Sequence, residues 1–347
     1  MVMGAILGCR TAALSIAAGM TLGRSPFLKV SIARSNHKRH NADDNNDDVS
    51  QENIHKQKQE AVNQAILQER AKLLKVVGNS DHAMLAAVYL AWDSSTDKRR
   101  YCESLGLSVG GMHEMKTLFK QYDSAVKSLG FVHDMTNFSW RVVRACVVAA
   151  LAPRQLVRVH RPTAKYAETG QGTVAKVVEA KQVRFYVRSA DVNVEATTTT
   201  AHTQPNSPDQ KLIAKYHDIM EEQVFLHPSS NCFSTGSFSC PWLVYHELVR
   251  TTKPYMRDAT EASSYALLLF GGSLKVLASQ GLIVVDEYIR LAASPRVGAL
   301  IGGLRLQIDL LMESKVANPS LDISKSQLMS TIIKLIVSDG LGKIEQS

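Results

Sequence analysis

The sequence predicts an α+β protein: an N-terminal helical bundle over residues 1–152, then an OB-type β-barrel with C-terminal helices over 153–347. Three observations predict it. Apolar positions recur at three- and four-residue spacing through most of the first 152 residues. Beyond Pro153 the pattern changes to short runs of β-branched and aromatic residues. Helical spacing then returns over 296–316 and 326–337. A chain of 347 residues is long enough for two or three domains with cores of their own.

Taken in order, residues 4–20 carry apolar side chains almost all round, which predicts one buried helix. Arg24-Ser25-Pro26-Phe27 ends it, because the residue before a proline is pushed out of helical backbone. The polar stretch 34–60, with the basic run His37 to His40 and the acids Asp43, Asp44, Asp47 and Asp48, predicts a disordered insert. Ile66, Leu67, Leu73 and Leu74 place a helix over 61–77. Ser80, Ser108 and Ser139 are positioned to cap helices over 82–92, 112–129 and 140–151, the last ended by Pro153.

Strands are expected at 156–159, 174–178, 183–187, 224–226, 242–249, 255–257, 274–276 and 282–285, with a helical turn at 265–269. Five or more short strands with an intervening helix give the barrel. A second flexible insert is expected at about 190–220, centred on the threonine run of 197–200.

The charge is +8 overall, with ten Lys or Arg against two Glu between Arg141 and Arg188. A cluster of this kind inside a folded region is the footprint of a nucleic-acid partner or a solvated basic face. The five cysteines form no CxxC pair and their odd number argues against a closed disulfide framework, which fits a reducing compartment. No zinc-ligand spacing occurs. Residues 1–22 are apolar, with Arg10 inside and no acid, so a targeting peptide and a buried helix are both open readings; the segment is too short and too Gly/Ala-rich for a membrane span.

Several blocks resemble the C-terminal half of DEAH/RHA-type RNA helicases. Met3-Gly4-Ala5-Ile6-Leu7-Gly8-Cys9, Leu14-Ser15-Ile16-Ala17-Ala18-Gly19 and Arg24-Ser25-Pro26-Phe27 are similar to that family's helicase-associated (ratchet) domain, as is Ser80-Asp81-His82 through Trp92. His227-Pro228-Ser229-Ser230-Asn231 resembles the first landmark of its OB fold. Pro241 to Glu247, Arg257 to Glu261 and Tyr265 to Gly272 form the most specific block, and Ala317 to Asp322 is a further one. The resemblance covers nearly the whole chain apart from the two inserts. It implies that the apolar N-terminal segment is a buried ratchet helix, and that the chain begins inside that domain, without its first helices and the winged helix before it.

The chemistry of an ATPase motor is not found in these residues. No GxxxxGK[S/T] phosphate loop or DEAH box occurs; Gly340-Leu341-Gly342-Lys343-Ile344 lacks the upstream glycine and the hydroxyl, and Asp286-Glu287-Tyr288 reads as a strand end. The expectation is a chain without catalytic residues, metal or cofactor, ATP and Mg²⁺ belonging to motor domains elsewhere. What the resemblance implies is RNA binding, single-stranded, on the barrel, with motor domains or an activator protein as further partners. A motorless RNA-binding or scaffold subunit of a ribonucleoprotein complex is the alternative. The expected location is cytoplasmic or nuclear, with mitochondrial as a second option.

Candidate RNA-binding residues are Thr251, Thr252, Lys253 and Arg257, between or at the edge of two predicted strands inside the most specific block. Arg184 and Arg188, four apart on one strand face, would extend a phosphate track or form a solvated face. His227, before a proline at a strand end, is either a ligand or a hydrogen-bonded part of the framework. For Arg257 an ion pair is the competing role, with Asp258 and Glu261 as candidate partners. Trp242 and Tyr245 are expected as barrel core anchors, and Gly271-Gly272 as a helix stop.

Overall fold

The apolar N-terminal segment folds as two buried helices rather than one. In the computed structural model, which describes residues 1–30, 47–131, 138–162, 166–169, 172–175, 179–188, 221–323 and 326–339, α1 (Val2–Ile6) and α2 (Arg10–Thr21) meet at Gly8. Gly8 has a φ of +74°, which only glycine adopts freely. Gly4 allows the two helices to cross closely, since a Cβ there would lie 2.2 Å from Ala13 Cβ. Arg10 is 8% exposed. It is paired with Asp123 at 3.0 Å and donates to the Phe131 carbonyl at 3.3 Å, so it is a structural cation.

Of the polar stretch 34–60, residues 47–60 belong to α3 (Asp47–Val77), against the expectation of disorder, and 34–46 lie outside the described residues. Helix-favouring Gln, Glu, Lys and Ala run into the apolar stripe of 66–77 and extend its helix backwards. Arg70 fixes α3 by donating to the carbonyls of Leu105, Leu28 and Gly106, and its guanidinium lies 5.0 Å from the Phe27 ring centre. The expected caps hold: Ser80 for α4 (Asp81–Ser94), Ser108 for α6 (Val109–Ser128) and Ser139 for α7 (Trp140–Leu151) each accept a backbone N–H. A short helix the periodicity missed, α5 (Lys98–Leu105), is capped by Asp97 and stopped by Gly106 at φ +61°. Tyr89, Trp92, Met84, Met112 and Met115 fill the core between these helices.

Five strands close into a barrel: β1 (Leu156–His160), β4 (Arg184–Arg188), β5 (Glu221–Leu226), β6 (Trp242–Arg250) and β7 (Pro254–Glu261). The order is β1-β4-β5-β7-β6, with β6 returning to β1. All neighbours are antiparallel except β5 and β7. A closed Greek-key barrel of five strands is the OB architecture. β2 (Tyr166–Thr169) and β3 (Gly172–Ala175) form a separate ribbon between β1 and β4. Of the strand expected at 174–178, residues 176–178 lie outside the described residues, as does 190–220.

Val157, Val159, Phe185, Val187, Val224, Leu226, Leu243, Tyr245, Met256 and Ala259 fill the barrel, and Phe238 and Cys232 pack with them. Tyr245 is therefore a barrel anchor as expected. Trp242 is not; it packs with the helices outside and meets Tyr288 edge-on at 5.3 Å. Met256 and Ala259 both face inward although three residues apart. The alternation is reset at Asp258, whose φ is +53°.

The strands over 274–285 do not join the barrel. β8 (Leu274–Leu277), β9 (Leu282–Val285) and β10 (Ile289–Ala292) make a separate sheet, with β9 in the middle. It lies beside α8 (Ser264–Phe270), α9 (Pro295–Ala317) and α10 (Gln327–Ser338). Gly271 and Gly272 do stop α8, and Arg305 donates to the carbonyls of Leu269, Gly271 and Gly272 there. Asp286-Glu287-Tyr288 forms the β9–β10 turn rather than a strand end.

The bundle and barrel are locked at the first turn of α4. Asp81, 4% exposed, accepts from Ser230 Oγ (2.6 Å), Asn231 N (2.7 Å), Asn231 Nδ2 (3.1 Å) and Ala259 N (2.9 Å). Beside it, Thr260 Oγ1 lies 2.7 Å from both Ser80 Oγ and His82 Nδ1. Asp81→Ala strands four donors, two buried (Ser230 Oγ and Ala259 N) and two half-buried (Asn231 N and Nδ2), so it is expected to lower unfolding free energy by about 3–5 kcal/mol. Urea denaturation followed by circular dichroism measures this, and a loss under about 1 kcal/mol would contradict the lock.

Candidate nucleic-acid interface

On β5 the inward residues Val224 and Leu226 leave Glu221, Gln223 and Phe225 on the outer face. On β7 the same logic turns Tyr255 and Arg257 outward around buried Met256. The parallel register pairs Phe225 with Tyr255, and one step further sets His227 beside Arg257. On β4 the pairing of Phe185 with Val224 carries Arg184 towards Phe225. Four candidates on separate segments, Arg184, His227, Lys253 and Arg257, thus meet on one outer edge. The aromatic rings of Phe225 and Tyr255, 6.2 Å apart between centres, lie among them.

Lys253 lies in the turn 251–253 between β6 and β7, with its Nζ 4.8 Å from the Phe225 ring centre. Thr251 and Thr252 are exposed in the same turn, and Thr251 N donates to the Lys253 carbonyl. Arg257 is paired with Glu247, not Asp258 or Glu261, at 3.5 Å, and both side chains are about half exposed. Glu261 is committed elsewhere, to Asn79 Nδ2, Ser239 Oγ and Cys240 N. His227 Nδ1 sits 2.6 Å from Ser229 Oγ and accepts from Ser229 N, so it shapes its own turn as well as facing Tyr255 edge-on. Burial, then the charges of Arg257 and of Lys29 in the helical part, hold its pKa below the usual imidazole value.

Arg188 separates from Arg184. It lies at the other end of β4, 3.9 Å from Asp286. The two do not form a continuous cationic track. Much of the basic 141–188 segment is likewise used internally. Arg158 donates to Glu221, Arg161 to the Phe238 carbonyl and Arg141 to the Val337 carbonyl, while Arg144 faces Glu261. Lys165 and Lys176 lie outside the described residues.

Phe225, Tyr255 and Lys29 did not emerge from the sequence as site residues. The signal for Phe225 was present in the alternation Gln223-Val224-Phe225-Leu226, which puts it opposite two core residues. No local signal brings Lys29 to His227. Among the described residues no three His, Cys, Asp or Glu sit where they could hold a metal, and no helix is long and apolar enough to cross a membrane.

A half-exposed strip of cations and flat rings on such a barrel is the kind of surface on which OB folds hold unpaired nucleic acid, by phosphate contact and base stacking. Comparison with known proteins gives this class a family. The helicase-associated domain (HA2), ratchet-like, matches residues 1–85. The oligonucleotide/oligosaccharide-binding (OB) fold matches 143–274, and the C-terminal domain in RNA helicases matches 281–338. Together and in this order the three models match most of the chain, which is similar to the C-terminal region of DEAH-box RNA helicases.

It is 29% identical over 356 residues to DHX57 of Homo sapiens, named as an ATP-dependent RNA helicase; the match covers 97% of this chain and 23% of that protein. It is 26% identical over 280 residues to the ATP-dependent DNA/RNA helicase DHX36 of Mus musculus, covering 78% of this chain and 25% of that one. A third relative, the DExH-box ATP-dependent RNA helicase DExH1 of Arabidopsis thaliana, is 39% identical over 119 residues, 33% of this chain and 12% of the relative. The chain spans about a quarter or less of the length of these relatives.

At the back of the strip, burial and the neighbouring Asp81 push the Asp258 carboxyl up to about 7; Arg257 opposes this and Glu247 adds to it. An acid whose folded pKa is raised binds its proton more tightly in the folded state, so its charge weakens the fold as pH rises from the ordinary carboxylate range to above 7. Burial also raises the neighbouring Asp81 carboxyl, a trend of the same sign, and holds the nearby His82 down to about 3, an opposing trend that weakens the fold as pH falls below the imidazole range. The difference between Asp258→Asn and the parent isolates the first. The variant is expected to be the more stable at pH 8, with the advantage shrinking as pH falls through 7 towards 5. Melting temperatures across that range decide it, and a constant difference would contradict the assignment.

Proposed function

We propose that this chain is the RNA-gripping accessory region of an ATP-dependent DEAH/RHA-type helicase, holding a single strand on the outer edge of its OB barrel while motor domains elsewhere drive unwinding. The observation that carries the reading is the convergence of Arg184, Lys253, Phe225, Tyr255, His227 and Arg257 on one exposed edge. The cations supply sequence-independent attraction to phosphate, and the rings supply stacking surfaces that accept any base.

No residue set here fits ATP and Mg²⁺, because neither a phosphate loop nor a DEAH box occurs in the 347 residues. The chain's own part is therefore to bind and orient the strand. Lys29 extends the edge towards the helical part, so a strand leaving the barrel past His227 meets a further cation there.

The double variant Lys253→Ala, Phe225→Ala tests this. Fluorescence anisotropy with labelled oligouridylate should show affinity falling by about 10-fold or more, from one lost phosphate contact and one lost stack. The slope of log affinity against log salt should flatten by about 0.7 for the lost cation on a single strand. Unchanged affinity in a folded variant would contradict the reading.

A further inference from the structure

Among the described residues the outer face of the barrel is exposed at the 184/225 end, where Arg184 and Lys253 reach solvent, and occupied at the 188/221 end. There the tip of the β9–β10 hairpin sits on it. The Tyr288 hydroxyl donates to Glu221 Oε1 at 2.9 Å and the Tyr288 ring meets Trp242. Arg158 Nε donates to the same Glu221 oxygen at 2.8 Å, and Asp286 lies 3.9 Å from Arg188. The two strand cations at this end, Arg158 and Arg188, therefore face carboxylates of the chain itself.

The tip is held firmly. Asp286 N donates to the Ser273 carbonyl at 2.7 Å and Lys275 pairs with Glu287 at 2.7 Å. Asp286 and Glu287 both have positive φ, +51° and +60°, a conformation that L side chains adopt at a cost. Gly272 makes room for the turn, since a Cβ there would lie 2.5 Å from Asp286 Oδ1.

We propose that this hairpin tip is an end-stop on the barrel's nucleic-acid face, an inference that rests on the RNA-binding reading above. It fills the 188/221 end, where Glu221 and Asp286 already engage Arg158 and Arg188, so neither cation is left for phosphate. A strand bound at the open end runs across β4, β5 and β7 towards the turn 251–253. Three strands at about 4.8 Å spacing span about 10 Å, room for roughly three bases stacked at about 3.4 Å. That is a shorter footprint than the roughly 4–16 nucleotides held by OB folds.

The experiment compares Arg184→Ala and Arg188→Ala in the intact chain and in an Asp286→Ala, Tyr288→Ala background, by anisotropy with oligouridylates of increasing length. In the intact chain Arg184→Ala should weaken binding by about 5-fold, whereas Arg188→Ala stays within about 2-fold of the parent. In the opened background Arg188→Ala should weaken binding as much as Arg184→Ala, and affinity should level off at a longer oligonucleotide. If the opened background does not fold, Tyr288→Phe, which loses only the hydroxyl bond to Glu221, should move both readouts the same way by less. Equal losses from the two arginines in the intact chain, or a silent Arg188 in both backgrounds, would overturn the end-stop while leaving RNA binding intact. A silent Arg184 together with a silent Phe225→Ala would overturn the RNA reading itself.

Discussion

The Asp81 carboxylate is the interaction on which the arrangement of this chain depends. It opens α4, where an acid is favoured by the unpaired N–H groups of the helix start, yet its four hydrogen bonds go to the barrel and to the turn that follows β5. A buried carboxylate is tolerated only when nearly all its acceptor sites are used. The site is therefore specific: a barrel shifted in register would still cover the carboxylate but no longer offer it four aligned donors. Ala259, which donates to Asp81, follows Asp258, where β7 resets its alternation. That reset turns Tyr255 and Arg257 outward while Met256 and Ala259 stay in the core. The lock that joins bundle to barrel thus also sets the face on which the cations and rings gather.

Charge is distributed on the same logic. Cations near the helical bundle or the terminal sheet are absorbed by carboxylates or carbonyls, as Arg10, Arg158, Arg305 and Lys315 show. Those at the open barrel edge keep surface-exposed charge. Exposed pairs such as Arg257 with Glu247 are worth little in water, so exchanging a carboxylate for phosphate there requires little free energy. Arg158 with Glu221 is held more tightly, because Tyr288 donates to the same oxygen.

The legibility of the fold followed the range of the forces. Caps at Ser80, Ser108 and Ser139 were readable because a hydroxyl and an N–H two or three positions on are enough to define them. The break at Gly8 and the helix over 98–105 rest on single local residues, Gly8 and the Asp97 and Gly106 that bound the helix, which apolar periodicity passes over; the strand at 289–292 depends on pairing with β9. The strands over 274–285 carried the right pattern for β-structure, but a pattern of alternation does not say which sheet a strand joins. The candidate site was half legible. Lys253 and Arg257 stood out by position, while the basic segment misled because Arg158 meets Glu221, 63 residues away, and Arg141 meets Val337. Phe225 escapes notice because a run as short as 224–226 predicts a strand without saying which of its faces is core.

Unpaired RNA is proposed to lie on the exposed edge of the barrel. Photo-crosslinking of a 4-thiouridine oligonucleotide to the whole chain, with the attached peptides mapped by mass spectrometry, tests it most directly. The account predicts adducts within 223–228 and 251–257, competed away by unlabelled oligouridylate. Adducts confined to α9 or to the β9–β10 tip, with the barrel edge unlabelled, would contradict it.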